Sequence, residues 1–329
     1  MTRLGIVLAA ALAGVFALYP FLLPGDFYER MGAEVLLAAI GASAWNILGG
    51  FAGQISVGHA VFFGIGAYLP LLAFTHLALP PVAGVPLAIV ISLGIAVVIG
   101  LPTFRLHGHY FSMATIAVAE LIRIAISNWD YVGAATGLMG PAVSRTWLDL
   151  SFRSPIPYYY LFLAVLAGLL LLTWHLQRSR MGYYWRAIRA GERPARSLGV
   201  PVSRYKLYAL LLSAAFTSLA GSLYALMVGF IDPESGFGIL RSVEMIIIAA
   251  LGGAGSLFGP LLGAAILIPL QTGTNSLFGG GGTGLTYILY GGIIVVIARF
   301  EPGGLLDLGR LVRHRWLRRE PKAAARHAA

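Results

Sequence analysis

Four arginines, Arg186, Arg189, Arg193 and Arg196, follow at spacings of three, four and three in RAIRAGERPARSLGV, within a chain where charge is scarce. Guanidinium groups so placed pair with carboxylates on a protein or with lipid phosphate. A second polar set, Asn46, Gln54, Ser56 and His59, lies among glycines in WNILGGFAGQISVGHAVFFGIGAY. A third is Glu120 with Arg123 in AELIRI, at an i, i+3 spacing that allows an ion pair on one helix face. Catalytic arrangements are missing: no Ser-His-Asp or paired-carboxylate pattern occurs. His107 and His109 in HGH have no further candidate ligands nearby and read as interface histidines, not a metal site. The two lysines, Lys206 and Lys322, are not preceded by the P-loop pattern, so nucleotide hydrolysis is not expected of this chain. LGGAGSLFG and GGGGTG follow no strand and read as helix breaks. No cofactor is expected, and the chain does not read as an enzyme.

Those side chains need a scaffold, and composition indicates its class. Of 329 residues, 58% are hydrophobic and 11% charged, against about 25% charged in soluble domains. Mean hydropathy is +0.81. Apolar runs repeatedly approach or exceed the roughly 20 residues that cross a bilayer as helix. The alternation of a membrane β-barrel is missing, so helices must satisfy the backbone in lipid. The expected class is an all-α polytopic membrane protein. Its formal charge of +10 marks cytoplasmic loops beside anionic headgroups and does not call for a nucleic-acid partner. Cysteine is absent, which excludes disulfides and thiolate metal sites. The opening MTRLGIVLAAALAGVFALYP carries an apolar run long for a secretory signal and reads as a retained first span.

Candidate spans are 4–23, 33–50, 56–75, 84–101, 110–127, 157–177, 206–229, 242–271 and 284–300. Segment 178–206 holds eight of the 23 basic residues, and the tail from Arg310 holds seven more. Both should be cytoplasmic. An even number of crossings must separate them, yet counting 242–271 once gives three. Thirty helical residues would also measure about 45 Å, beyond the roughly 30 Å hydrocarbon core. The middle of that stretch, LGGAGSLFGP, disfavours a continuous helix. It is therefore expected to form a short helical hairpin turning near the cytoplasm. The count becomes about ten transmembrane segments with both termini cytoplasmic. Residues 1–309 form the membrane domain, including the cytoplasmic loop 178–206, and 310–329 form a basic cytoplasmic tail.

Polar groups at membrane depth are costly unless they face protein or water. Asn46, Gln54, Ser56 and His59 fit two roles: lining a translocation pathway beside a broken helix, or close helix packing with Gly64 and Gly66. Glu120 and Arg123 read first as a structural ion pair, with a substrate contact as the alternative. In the arginine-rich loop, Pro194 suits a helix start and disfavours helix at the residue before it. Two short helices, MGYYWRAIRA and PARSLG, are expected, broken at Gly191 and closed by Gly199. Ala195 and Leu198, three apart, are expected to share one face.

In order along the chain stand NILGGFAGQISVGHAVFFGIGAY, RLHGHYFSMATIAVAELIR, TGLMG, RAIRAGERPARSLGVPVSRYKL, LAGSLYALMVGFIDPESGFG, LGGAGSLFGPLLGA and RFEPGGLL. As an ordered set they resemble the bacterial branched-chain amino acid ABC importer permeases, over about residues 44–306. The resemblance implies a multi-pass inner-membrane subunit that borrows energy from a separate ATPase. It also implies a sister permease, two ATPase subunits and an extracytoplasmic binding protein as partners. The long cytoplasmic loop would then dock into the ATPase through Arg186, Ala187, Arg189, Glu192, Ala195, Leu198 and Gly199. Two departures stand out: the loop's usual acidic-Asn-acidic start is AGE here, retaining only Glu192, and the usual Asn-Gly of the outer loop is Thr136-Gly137. Urea and short-amide permeases share much of the pattern, and a self-sufficient secondary transporter is the alternative of a different class.

Overall fold

Prolines stand at the beginnings of many of the helices, where a missing N–H costs nothing and a fixed φ suits the first turn. The computed structural model describes residues 18–140 and 150–277, with Gly14, Phe16, Ile288, Gly291, Gly292, Gly304 and Leu305 individually. Helix α1 spans Asp26–Asn46 and runs into a π-helical turn, Ile47–Phe51. After a non-helical segment, 52–59, come α2 (Ala60–Leu77), α3 (Pro81–Thr103) and α4 (His109–Ser127). Two 3₁₀ turns, Asp130–Val132 and Ala134–Thr136, lead to the short strand β1, Leu138–Met139. Then follow α5 (Ile156–Arg178), α6 (Arg180–Ala190), α7 (Glu192–Ser197) and α8 (Val202–Val228). Strand β2, Phe230–Ile231, pairs antiparallel with β1, Leu138 opposite Ile231. The described chain ends with α9 (Pro233–Phe237), α10 (Ile239–Gly252) and α11 (Gly259–Leu277). Asp232 and Ser235 form a reciprocal capping box at the start of α9.

The expected all-helical membrane architecture is present: seven helical segments among the described residues are long and apolar enough to cross a bilayer. The stretch 242–271 is not one helix. It divides at Gly253–Phe258 into α10 and α11, which pack on each other. Of the other expectations, almost all of 284–300, all of 310–329 and most of 4–23 lie outside the described residues.

Burial is uneven. α1 sits at the centre against α5, α8, α10 and α11, and α2 packs chiefly on α8 and α3. The α2–α8 contact is a small-residue seam: a Cβ on Gly66 would lie 1.9 Å from the Ser218 carbonyl oxygen, and one on Gly221 would lie 2.0 Å from that of Phe63. Backbones this close gain dispersion contact and bring polar groups within reach, and Ser222 Oγ donates to the Gly66 carbonyl at 2.8 Å. α3 and α4 are the least buried of the spans.

Candidate functional site

The arginine-rich loop folds as two short helices meeting at Gly191. Ser179 caps α6 by accepting the Met181 N–H at 3.2 Å. Its buried stripe, Gly182, Trp185 and Ile188, repeats every third residue, with Trp185 in the main core and Ile188 in a smaller cluster of the loop itself. Trp185 is fully enclosed and donates from Nε1 to the Tyr205 carbonyl at 2.9 Å, tying α6 to α8. α7 begins at Glu192, two residues earlier than Pro194 suggests, because Pro194 is third in the helix, where its absent N–H would have had no helical partner. The helix closes in a Schellman motif: Gly199 N–H reaches Arg196 O at 3.0 Å and Val200 N–H reaches Ala195 O at 3.1 Å. Gly199 has a φ of 81°, the left-handed region where a side chain is strained.

That closure corrects the expected docking face. Folding Val200 back onto Ala195 buries Ala195 in a cluster with Ile188, Val200 and Val202. Leu198, in the cap and no longer on the helix, is 82% exposed. Ala195 and Leu198 therefore do not share a surface. Arg186, Arg189, Arg193 and Arg196 are exposed, Arg186 lying over the Tyr183 ring at 4.5 Å, and Ala187 is half-buried.

Beneath this loop lies the broken segment 52–59, whose backbone groups are met by side chains from surrounding helices. Trp45 Nε1 of α1 donates to Ser56 O at 2.7 Å, and Ser112 Oγ of α4 to Ile55 O at 2.6 Å. Thr115 Oγ1, also of α4, accepts the Val57 N–H at 3.1 Å. At the start of α2, Ser242 Oγ of α10 accepts the Ala60 N–H at 2.8 Å. Irregular backbone at membrane depth is tolerated only where protein or trapped water supplies such partners. His59 Nε2 and Ser213 Oγ lie 2.7 Å apart, and the hydroxyl donates to Ala44 O at 2.6 Å. The hydroxyl proton being committed to Ala44, His59 Nε2 is the donor in that pair.

Asn46, Gln54, Ser56 and His59 are all buried. Asn46 clamps the turn between α10 and α11, donating to Ser256 O and accepting the Gly255 N–H, each at 2.8 Å. Gln54 reaches outward, its Nε2 donating to Glu192 Oε1 at 3.1 Å. Glu192 is the meeting point: it also forms an ion pair with Lys206 of α8, and His107 Nε2 approaches its other oxygen at 3.6 Å. Arg189 crosses the same junction, its stem against Gly53 and its guanidinium against Gly255, with Nη2 3.5 Å from Ala254 O. One cluster thus joins α6, α7, the broken segment, the α3–α4 loop, α8 and the α10–α11 turn.

Sequence spacing did not reveal Lys206 or His107 as partners of Glu192. The available signal was Lys206 itself, a lysine at the head of an apolar run, where an ionisable group requires a partner. Glu120 and Arg123 do pair, through two hydrogen bonds, Nε to Oε2 at 3.0 Å and Nη2 to Oε1. Arg123 Nη1 also donates to Glu234 Oε2 of α9 at 3.0 Å, a third member that lies 111 positions away. This triad stands at the far end of α4 from the Glu192 cluster.

The family profile described as "Branched-chain amino acid transport system / permease component" matches residues 29–298. The high-affinity branched-chain amino acid transport permease LivM of Salmonella typhimurium is 29% identical, over 91% of this chain and 74% of its own length. LivM of Escherichia coli is 30% identical, over 80% of this chain and 66% of its own length. BraD of Pseudomonas aeruginosa, with the same description, is 24% identical over 84% and 92%.

Proposed function

This chain belongs to the branched-chain amino acid transport permease family, and from that membership we propose that it forms half of the membrane channel of an ATP-driven importer for branched-chain or related aliphatic amino acids. It works beside a sister permease, with two ATPase subunits on the cytoplasmic face and an extracytoplasmic binding protein that delivers substrate. It crosses the bacterial inner membrane about ten times, with the termini and the 310–329 tail in the cytoplasm. The observation that carries this reading is the α6–α7 loop: an exposed, arginine-bearing pair of helices fastened by Glu192 and Arg189 to both breaks in the membrane helices. A push on α7 is transmitted through Gln54 to the segment between α1 and α2, and through Arg189 to the turn between α10 and α11. Leu198, with the arginines around it, is the surface offered to the ATPase, an apolar plug in a basic rim. The exposed face of α4, which carries Glu120 and Arg123, is the seat of the sister permease, since charged groups are costly against lipid.

Reconstitution tests the reading. The chain, assembled with its partner subunits in proteoliposomes, is expected to accumulate leucine only when ATP and the binding protein are both supplied. Leucine uptake by the chain alone, driven by an ion gradient, would replace the importer with a secondary transporter.

A further inference from the structure

Away from the Glu192 cluster, a cavity of about 430 Å³ lies between α1, α8, α10 and α11, with α2 contributing one wall. Small-molecule sites occupy roughly 300–1,000 Å³ and combine an apolar lining with a few placed polar groups. This cavity has both. α1 contributes Arg30, Glu34, Leu37 and Gly41, and α10 contributes Arg241, Glu244, Met245 and Ile248. Each set falls on a single helix face, at spacings of three and four.

Both helices run from a charged end to an apolar one. Arg30 Nε meets Glu34 Oε1 at 3.3 Å, and Arg241 Nη1 meets Glu244 Oε2 at 3.2 Å. Below them the floor is aliphatic, closed by Ile268 of α11. Gly41 leaves room for Met245 there, since a Cβ at that position would meet its methyl group at 3.3 Å. Arg241 is braced by the rings of Tyr224 at 4.5 Å and Phe63 at 5.3 Å, and its Nε donates to Ser235 O at 3.0 Å. A guanidinium so stacked is held in one orientation on the cavity wall, with the Glu244 carboxylate beside it.

We propose that this cavity binds a zwitterionic α-amino acid with an aliphatic side chain, its carboxylate on Arg241, its ammonium on Glu34 and its side chain over the Met245–Ile248–Ile268 floor. The assignment rests on the importer reading and deepens it by placing a substrate site within this subunit. An Arg–Glu pair on each of two facing helices presents both signs of charge to one space. A zwitterion matches that pattern, whereas a simple anion or cation leaves one sign opposed. The apolar floor adds selection for hydrocarbon over polar side chains.

The test uses the complete transporter in lipid nanodiscs without nucleotide or binding protein. Saturation-transfer NMR titrates leucine, leucinamide (no carboxylate) and 4-methylpentanoate (no ammonium). Wild type is expected to prefer leucine over either analogue by at least about tenfold, as sites built to pair a polar group reject ligands lacking it. Arg241→Gln should erase the preference over leucinamide, and Glu34→Gln the preference over 4-methylpentanoate. These are ratios measured within one preparation, so they do not depend on the folded yield of a variant. Preferences unchanged in both variants would overturn the site, as would no leucine binding by a complex that imports leucine when given ATP and binding protein. A wild-type complex that imports no aliphatic amino acid under those conditions would overturn the importer reading instead.

Discussion

Glu192 touches Gln54, Lys206 and His107 at once, and Lys206 is almost completely enclosed. Removing one member of a buried ion pair strands the other, at a typical cost of about 3–5 kcal/mol. Glu192→Gln alone should therefore lower the folded yield in detergent, because it leaves the Lys206 ammonium uncompensated. Glu192→Gln with Lys206→Met should restore the yield, yet uptake driven by ATP should stay low, because the link to Gln54 loses its charge. Thermal unfolding beside uptake separates the two effects. At the other end of α4, Arg123 has two carboxylates, so Glu120→Ala should leave uptake near wild type while Glu120→Ala with Glu234→Ala reduces it. Equal loss in the single and double variants would show that Glu234 contributes nothing. Spacing made the Glu120–Arg123 pair legible because both residues lie on one helix. Gln54 and Glu192 are 138 positions apart, Asn46 and Ser256 are 210, and no local pattern encodes such contacts.

At the scale of elements, the α6–α7 loop was readable in outline. Gly191 and Gly199 mark its break and its end, and the structure places both there. Which side α7 presents was not readable, because a six-residue helix ending in a Schellman motif turns its cap residue off the helical face. Leu198→Asp is accordingly expected to insert and fold normally, since Leu198 is solvent-facing, and to lose substrate-stimulated ATPase activity and uptake in the assembled complex. Ala195→Asp should behave differently and reduce the amount of folded protein, as its site is enclosed. Normal uptake by Leu198→Asp, with the ATPase still attached, would remove this residue from the docking surface. Gly199→Ala forces a side chain into left-handed backbone, a penalty of roughly 1–2 kcal/mol. It should fray α7 and weaken coupling more than it weakens stability.

For the whole molecule, glycine and proline were enough to divide 242–271, since a helix of that length overruns the bilayer and its centre cannot sustain one. The broken segment after α1 was visible only as a concentration of polar residues and glycines. Its partners come from the preceding α1 and from α4, α7 and α8, which lie far from it in the sequence. Sidedness is open to direct measurement, because the cysteine-free chain accepts single labels without background. Arg186→Cys should react with an impermeant maleimide only from the cytoplasmic side. Met139→Cys and Thr274→Cys should react only from the outside. Cytoplasmic labelling at Thr274 would mean that α11 does not return across the membrane.

The central position of α1 has a bearing on how the chain is made. Its best span window is 83% buried within the protein, against 22% for α3, and it is the least apolar of the seven spans. Among the described spans it is nevertheless the first to leave the ribosome, while its neighbours α8, α10 and α11 are synthesised much later. During that interval it lies without the protein surfaces that will enclose it. Its polar Asn46, which later holds the α10–α11 turn, waits unmatched through the same interval. Biogenesis of this subunit is therefore expected to include an interval in which an early central helix waits for the C-terminal half that encloses it.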